Sequence, residues 1–315
     1  MKYKVLLTHE LFPEVHEKLK NHFEMEIGAE GKDEIIRKIR DKDAILCFLR
    51  DPIDREVIDS APKLKIISNY AVGYDNIDVE YAKSKGIYVT NTPDLLTEAT
   101  ADLTWALILA VARRIVEADS FTRAGKFKGW EAGLFLGMEL NGKRIGIVGM
   151  GRIGKAVARR ARGFGLEIVY NKRQRLSPDE EKKLSARFMD LDELLQTSHI
   201  ITIHTPLTPE TNNLINRERI YKIKEGAILI NTARGAVVDE DALIERLEKG
   251  SLFGAGFDVY RGEPNINPKL LKLKNVVLLP HIGSATTETR LAMANLAADN
   301  IIAVLSGGKP ITPVW

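Results

Sequence analysis

The 315-residue sequence predicts an α/β fold of two doubly wound parallel-sheet domains, and three observations carry that prediction. The length suits two domains of roughly 150 residues each. Short β-rich runs alternate with helical patterns, as βαβ units require. The alternation also occurs twice, on either side of a long apolar helical stretch and a glycine-rich segment.

In the first series, apolar runs at 4–7, 44–49, 64–68 and 87–90 read as strands. Pro13 suits a first helical turn, and Val15, Leu19 and Phe23 keep helical spacing after it. Pro93 then blocks the chain, and residues 97–117 read as one long, mostly apolar helix. Gly125, Gly129, Gly133 and Gly137 follow. The second series has strand patterns at 144–148, 167–170, 200–203, 227–230, 252–257 and 276–279. A final helix, 285–305, has no strand after it, so it is expected to return the chain to the first domain. The expected domains are therefore 1–97 with 285–315, interrupted by 98–284.

Composition removes several function classes. Lys plus Arg number 46 against 43 Asp plus Glu, a net charge of +3, which gives no whole-surface field for nucleic acid or an anionic membrane. One cysteine, Cys47, excludes a disulfide framework and a cysteine-rich zinc site, and it reads as a small core residue. The amino terminus turns polar at Thr8 and is too short for a signal-peptide core. The longest apolar run, 103–112, falls far short of the roughly 20 residues that span a bilayer. A cytoplasmic protein with no nucleic-acid or membrane partner is expected. His9, His16 and His22 lack ligand spacing, so no metal is assigned, and His199 and His204 read as structural. Only two glutamines, Gln174 and Gln196, occur, a composition in keeping with a hot-environment source.

The motif Gly149-Met150-Gly151-Arg152-Ile153-Gly154 follows a strand and opens a helix, the setting in which a GxGxxG sequence marks a dinucleotide site. Gly149 supplies the tight turn, Gly151 lets backbone approach a pyrophosphate, and Gly154 permits close helix–strand packing. The helix amino terminus adds unpaired N–H groups for the anion. The inserted domain is thus expected to be a Rossmann dinucleotide domain within a flavodoxin-like substrate domain. About 20 residues past the first glycine, an acidic residue would select NAD. Here Asn171, Lys172 and Arg173 occupy that place, and no carboxylate repels a 2′-phosphate. NADP(H) is the expected cofactor, with NAD(H) as substitute; as solvated surface groups, these basic residues would carry no such preference.

Three polar segments end strand patterns, where open sheets place ligands. They are Asn231-Thr232-Ala233-Arg234-Gly235, Asp258 with Glu263 shortly after it, and His281-Ile282-Gly283. Carbonyl reduction needs such a set: a proton donor for the oxygen that gains charge, and a guanidinium for a carboxylate. His titrates near neutrality, and a carboxylate beside its second nitrogen would orient it. Taken singly, each could instead be a cap or a surface group.

Together, residues 149–154, 231–235, 262–264 and 280–285 resemble the D-isomer-specific 2-hydroxyacid dehydrogenases over essentially the whole chain. Residues 95–105 and 171–174 look most like the glyoxylate/hydroxypyruvate reductases. The resemblance implies that Arg234 binds the substrate carboxylate and carbonyl, that His281 donates the proton, and that Glu263 holds His281. It implies that Leu49, Val72 and Gly73 contact a small 2-keto or 2-hydroxy acid in a cleft between the domains. Asp258 and the backbone at Thr232 and Ala233 would hold the nicotinamide, with His281 and Gly283 beside it. Pro206 would pack near the adenosine, and Arg152 and Ile153 near the pyrophosphate. It further implies a homodimer, with Trp130 reaching towards the partner. Glu263 departs from the formate dehydrogenase branch, which carries glutamine there. Phosphoglycerate or D-lactate-type dehydrogenases are the alternative enzymes, the former often having a further carboxy-terminal domain. A nucleotide-sensing corepressor-like binding protein is the alternative from another class.

Overall fold

The computed structural model describes residues 2–315. They form two compact units, one running to Leu96 and completed by Ala285–Trp315, the other comprising Thr97–Ser284.

The first unit contains strands β1 (Lys4–Leu7), β2 (Glu24–Ile27), β3 (Ala44–Cys47), β4 (Ile66–Asn69) and β5 (Tyr88–Thr90). Helices α1 (Pro13–His22), α2 (Lys32–Ile39), α3 (Arg55–Asp59) and α4 (Val79–Ser84) connect them. All pairs are parallel in the order β2-β1-β3-β4-β5, the flavodoxin-type arrangement. β3 is buried along its whole length, so both of its faces must be apolar. The closing helix, Thr287–Leu305, packs in this unit: Ser68 Oγ donates to Ala297 O at 2.9 Å, and Tyr70 Oη to Arg290 O at 2.8 Å.

The second unit holds β6 (Arg144–Val148), β7 (Glu167–Asn171), β8 (Ala186–Phe188), β9 (Ile200–Ile203), β10 (Ile228–Asn231), β11 (Gly254–Phe257) and β12 (Val276–Leu278). Its helices are α5 (Thr97–Ala112), α6 (Ile115–Arg123), α7 (Arg152–Ala161), α8 (Pro178–Leu184), α9 (Leu191–Thr197), α10 (Arg217–Lys222) and α11 (Glu240–Glu248). The parallel order β12-β11-β10-β9-β6-β7-β8 is the Rossmann arrangement with one strand added at an edge. Glycines in β11 let α5 lie close: a Cβ on Gly256 would stand 2.9 Å from Ile230 Cδ1 and 3.2 Å from Leu107 Cβ.

Three features depart from the sequence expectation. β2 and β8 carry charged residues and lie at sheet edges, where one flank has no pairing partner, so their sequences lack the apolar signature of central strands. Residues 97–117 form two helices, not one. Met138 N donates to Ala112 O at 2.7 Å, taking the carbonyl that would continue α5, and Arg114 turns the chain at φ 53°. Strand β3 stops at Cys47, so Leu49 lies in the loop beyond it.

Candidate active site

In both sheets the residues of interest follow the carboxyl ends of parallel strands. Gly149 begins the turn after β6 at φ 97°, and its missing Cβ would stand 2.7 Å from the His204 carbonyl. A Cβ on Gly154 would collide with Gly149 O, whereas Gly151 faces no protein atom within 4 Å. Gly151 is also the N-cap of α7 and offers no side-chain cap, so the first-turn N–H groups are left for an anion. Beside this turn, His204 Nδ1 and Thr205 Oγ1 are buried without partners. His204 Nε2 meets Thr202 Oγ1 at 2.9 Å, and burial lowers its pKa to about 3, so the ring is neutral. These residues fit a dinucleotide pyrophosphate. Pro206 follows them, exposed, two residues past His204.

The basic segment after β7 divides by partner. Asn171 Nδ2 donates to Met189 O at 2.9 Å, anchoring the strand end. Arg175 forks onto Glu181 through 2.8 and 2.9 Å bonds and is therefore committed within the protein. Lys172 is half-buried and Arg173 exposed. The Thr208 hydroxyl holds Glu210 below the usual carboxylate range, and the Arg173 charge adds to that effect.

The acid–base residues assemble in the second unit. His281 Nδ1 and Glu263 Oε2 are 2.8 Å apart, both side chains about one-third exposed. Glu263 Oε1 accepts from Tyr260 N at 2.8 Å. Burial alone would raise the Glu263 carboxyl, but the His281 bond, the Tyr260 amide and the charge of Arg234 override it and leave it lowered. Glu263 is thus the acceptor for Nδ1–H, and Nε2 remains for a substrate.

His281 sits at φ 55°, a left-handed conformation that carries strain at any residue with a Cβ. The next two residues are pinned: Ile282 N donates to Asp258 Oδ1 and Gly283 N to Asp258 Oδ2, each at 2.7 Å. Burial pushes the Asp258 carboxyl up, against these two amides and the His281 charge. Each oxygen keeps a second lone pair after these bonds. The other turn is shaped by Asn231, which accepts from Ala233 N and donates to Arg234 O, both at 3.0 Å. Arg234 Nη1 donates to Ala233 O at 2.8 Å. A Cβ on Gly235 would collide with the Tyr260 carbonyl, so the Arg234 and Tyr260–Glu263 turns meet backbone to backbone.

The first unit brings its own expected residues together. Asn76 Nδ2 donates to Phe48 O and Asp51 O, at 3.1 and 3.0 Å, on either side of Leu49. Asn69 Nδ2 donates to Gly73 O at 2.8 Å and to Asn76 Oδ1 at 3.3 Å, and Asn91 Nδ2 to Val72 O at 2.8 Å. Leu49 and the Val72–Gly73 turn are therefore cross-linked by asparagine side chains. His9 pairs with Asp51 at 3.0 Å. Sequence reasoning passed over Asn231, Tyr260, Asn69 and Asn76, although Asn231 stood within a motif already singled out. Among the described residues no group of three or more His, Cys, Asp or Glu side chains could hold a metal ion, and no helix is long and apolar enough to cross a membrane.

A profile of the D-isomer specific 2-hydroxyacid dehydrogenase NAD binding domain matches residues 105–283. The chain is 52% identical over 322 residues to a glyoxylate reductase of Thermococcus kodakarensis, covering 100% of this chain and 96% of the relative. A crystal structure of a Thermus thermophilus protein superposes with a TM-score of 0.93 at 46% identity, covering 99% of this chain and all of that one. An NADPH-dependent glyoxylate/hydroxypyruvate reductase of Sinorhizobium meliloti, in complex with NADP and malonate, gives 0.90 at 34% identity over 100% of this chain and 97% of its own. With its parallel sheets, its glycine turn and its paired histidine and glutamate, this chain belongs to the D-isomer specific 2-hydroxyacid dehydrogenases.

Proposed function

We propose that the protein reduces glyoxylate or hydroxypyruvate to the 2-hydroxy acid, with NADPH preferred and NADH as substitute. The observation that carries this reading is the 2.8 Å His281–Glu263 pair, whose glutamate also feels the charge of Arg234. The dinucleotide, when bound, supplies the hydride. Arg234 receives the substrate carboxylate through its planar fork and draws charge from the carbonyl. His281 Nε2 gives its proton to the carbonyl oxygen, and Glu263 stabilises the ring before that transfer. Gly149, Gly151, Arg152, Ile153 and Gly154 receive the pyrophosphate, and Thr232, Ala233, Asp258 and Gly283 the nicotinamide end. Leu49, Val72 and Gly73 are substrate contacts in the same proposal. Mixing protein, NADPH and glyoxylate should remove absorbance at 340 nm; a stable trace at every keto acid tried would end the proposal.

The cofactor preference rests on Arg173, with Lys172 and Asn171 beside it and no acidic residue at that strand end. Arg173→Ala should lower kcat/KM for NADPH by about ten- to hundredfold and leave NADH within about twofold, because a charge-assisted bond is worth about 1.5–3 kcal/mol. A wild-type protein that uses NADH tenfold better than NADPH would overturn it.

A homodimer is the proposed assembly. Helix α6 has no buried residue, and Ile115, Val116, Phe127, Trp130 and Leu136 stand exposed around it, Trp130 by 86%. Such a concentration of apolar surface marks an interaction face. Sedimentation should give twice the chain mass of 35.2 kDa, and Val116→Asp with Leu136→Asp should halve it. A wild-type monomer at micromolar concentration would refute the assembly.

A further inference from the structure

Helix α5 has a mean hydropathy that suits a core helix, yet it buries two hydroxyls one turn apart, Thr100 and Thr104. Residues four apart share a helix face. Thr104 Oγ1 is 2.8 Å from Thr100 O and 3.0 Å from Thr232 Oγ1, while Thr100 Oγ1 is 3.1 Å from Gly283 O.

Each hydroxyl has one hydrogen, and both carbonyls can only accept. The direction of the chain is therefore determined. Thr100 donates to Gly283 O, Thr104 donates to Thr100 O, and Thr232 must donate to Thr104. Two hydrogen-bonded segments, one from Thr232 through Thr104 to Thr100 O and one from Thr100 Oγ1 to Gly283 O, join through the covalent bonds of Thr100 and link the Arg234 turn, across α5, to the His281 turn. All three threonines are buried, so water does not compete for these groups. Gly283 is pinned from its other side by Asp258, and a Cβ there would stand 3.2 Å from Asp258 Oδ2 and 3.4 Å from Thr100 Oγ1.

We infer that Thr100 and Thr104 are positioning residues that hold the proton donor His281 and the guanidinium of Arg234 in one register, an inference that rests on the proposed reductase activity. Neither threonine needs to touch substrate. Each acts through a turn two residues away from the group it serves: Gly283 for His281, and Thr232 for Arg234.

Valine keeps the shape of threonine and removes the hydroxyl, so Thr100→Val, Thr104→Val and the double variant test the link directly. Each single variant should lower kcat on glyoxylate by about tenfold or more, since displacements under 1 Å carry costs of that order. KM should move less than threefold in Thr100→Val, which acts on the His281 turn, and should rise further in Thr104→Val, which acts on the Arg234 turn. The double variant should be less impaired than the product of the singles, because the two segments act in series through Thr100 and the loss of either uncouples the turns. Thr→Ser at either position should restore kcat to within about twofold. Thermal unfolding of each variant reports whether it is folded.

A kcat within twofold of wild type in both valine variants would overturn the inference. So would serine variants as slow as the valines, or independent, multiplying effects. Imidazole ¹⁵N resonances, assigned through His281→Ala, give a readout that needs no turnover: the His281 signal should move in Thr100→Val. If the wild type fails to oxidise NADPH with glyoxylate, the activity proposal falls, and an unmoved His281 resonance would then overturn the positioning role as well.

Discussion

His281→Ala is expected to lower kcat for glyoxylate reduction by about 10²- to 10⁴-fold, the usual worth of a positioned general acid. The loss should fall mainly on kcat, with KM changing far less, because the proton is needed as the carbonyl oxygen gains charge rather than when substrate binds. Nδ1 of this ring is engaged by Glu263 at 2.8 Å, which leaves Nε2 as the donor. The pH dependence follows from the same pair. Glu263 is held below its ordinary value, so its carboxylate is charged through the neutral range and loses charge only as pH falls through that lowered value. Its support for His281 should therefore persist from alkaline pH down into the acid range. Steady-state kinetics across pH, with Glu263→Gln beside His281→Ala, check both statements. An alanine variant with wild-type kcat would remove His281 from the reaction.

Arg234→Lys is expected to cost about ten- to hundredfold in kcat/KM, although the charge is retained. A guanidinium can pair with both carboxylate oxygens, whereas an ammonium acts as a compact point charge. Losing one charge-assisted bond of about 1.5–3 kcal/mol gives a loss of that size. KM should rise because the carboxylate is bound before reaction, and kcat should also fall because Arg234 draws charge from the carbonyl. A lysine also cannot repeat the 2.8 Å bond from Nη1 to Ala233 O with the geometry of a planar fork. Unchanged KM for glyoxylate in this variant would contradict the assigned role.

Much of this architecture can be read from residues in order, and the exceptions share a cause. Central strands such as β3 are apolar throughout because helices cover both faces, and that pattern is local. β2, written Glu-Met-Glu-Ile, is a strand only because β1 pairs with it, and nothing in those four residues says so. The break between α5 and α6 comes from Met138 N taking the Ala112 carbonyl, 26 positions away, and Gly137 lets the chain approach because a Cβ there would collide with that carbonyl; nothing near residue 112 itself announces the contact. The site divides in the same way. Arg234, Glu263 and His281 stand out only as a set: singly a charged group there can be a helix cap, as Asp78 and Asp239 are, but together they match one chemistry. Thr100 and Thr104 do not, because a threonine in an apolar helix looks like filler until its hydroxyl partners are known. Arg175 shows the reverse case: it stands two residues past Arg173 in the same basic stretch, but Glu181 already occupies its fork.

Gly235 has a consequence for anyone reshaping this enzyme. Because any side chain there collides with the Tyr260 carbonyl, the position offers no variation to a mutant library, and every replacement should be purged by selection. The turn that bears Arg234 is in effect frozen, and the Tyr260–Glu263 turn with it. Within this unit, accepted variation is therefore confined to positions outside these two turns.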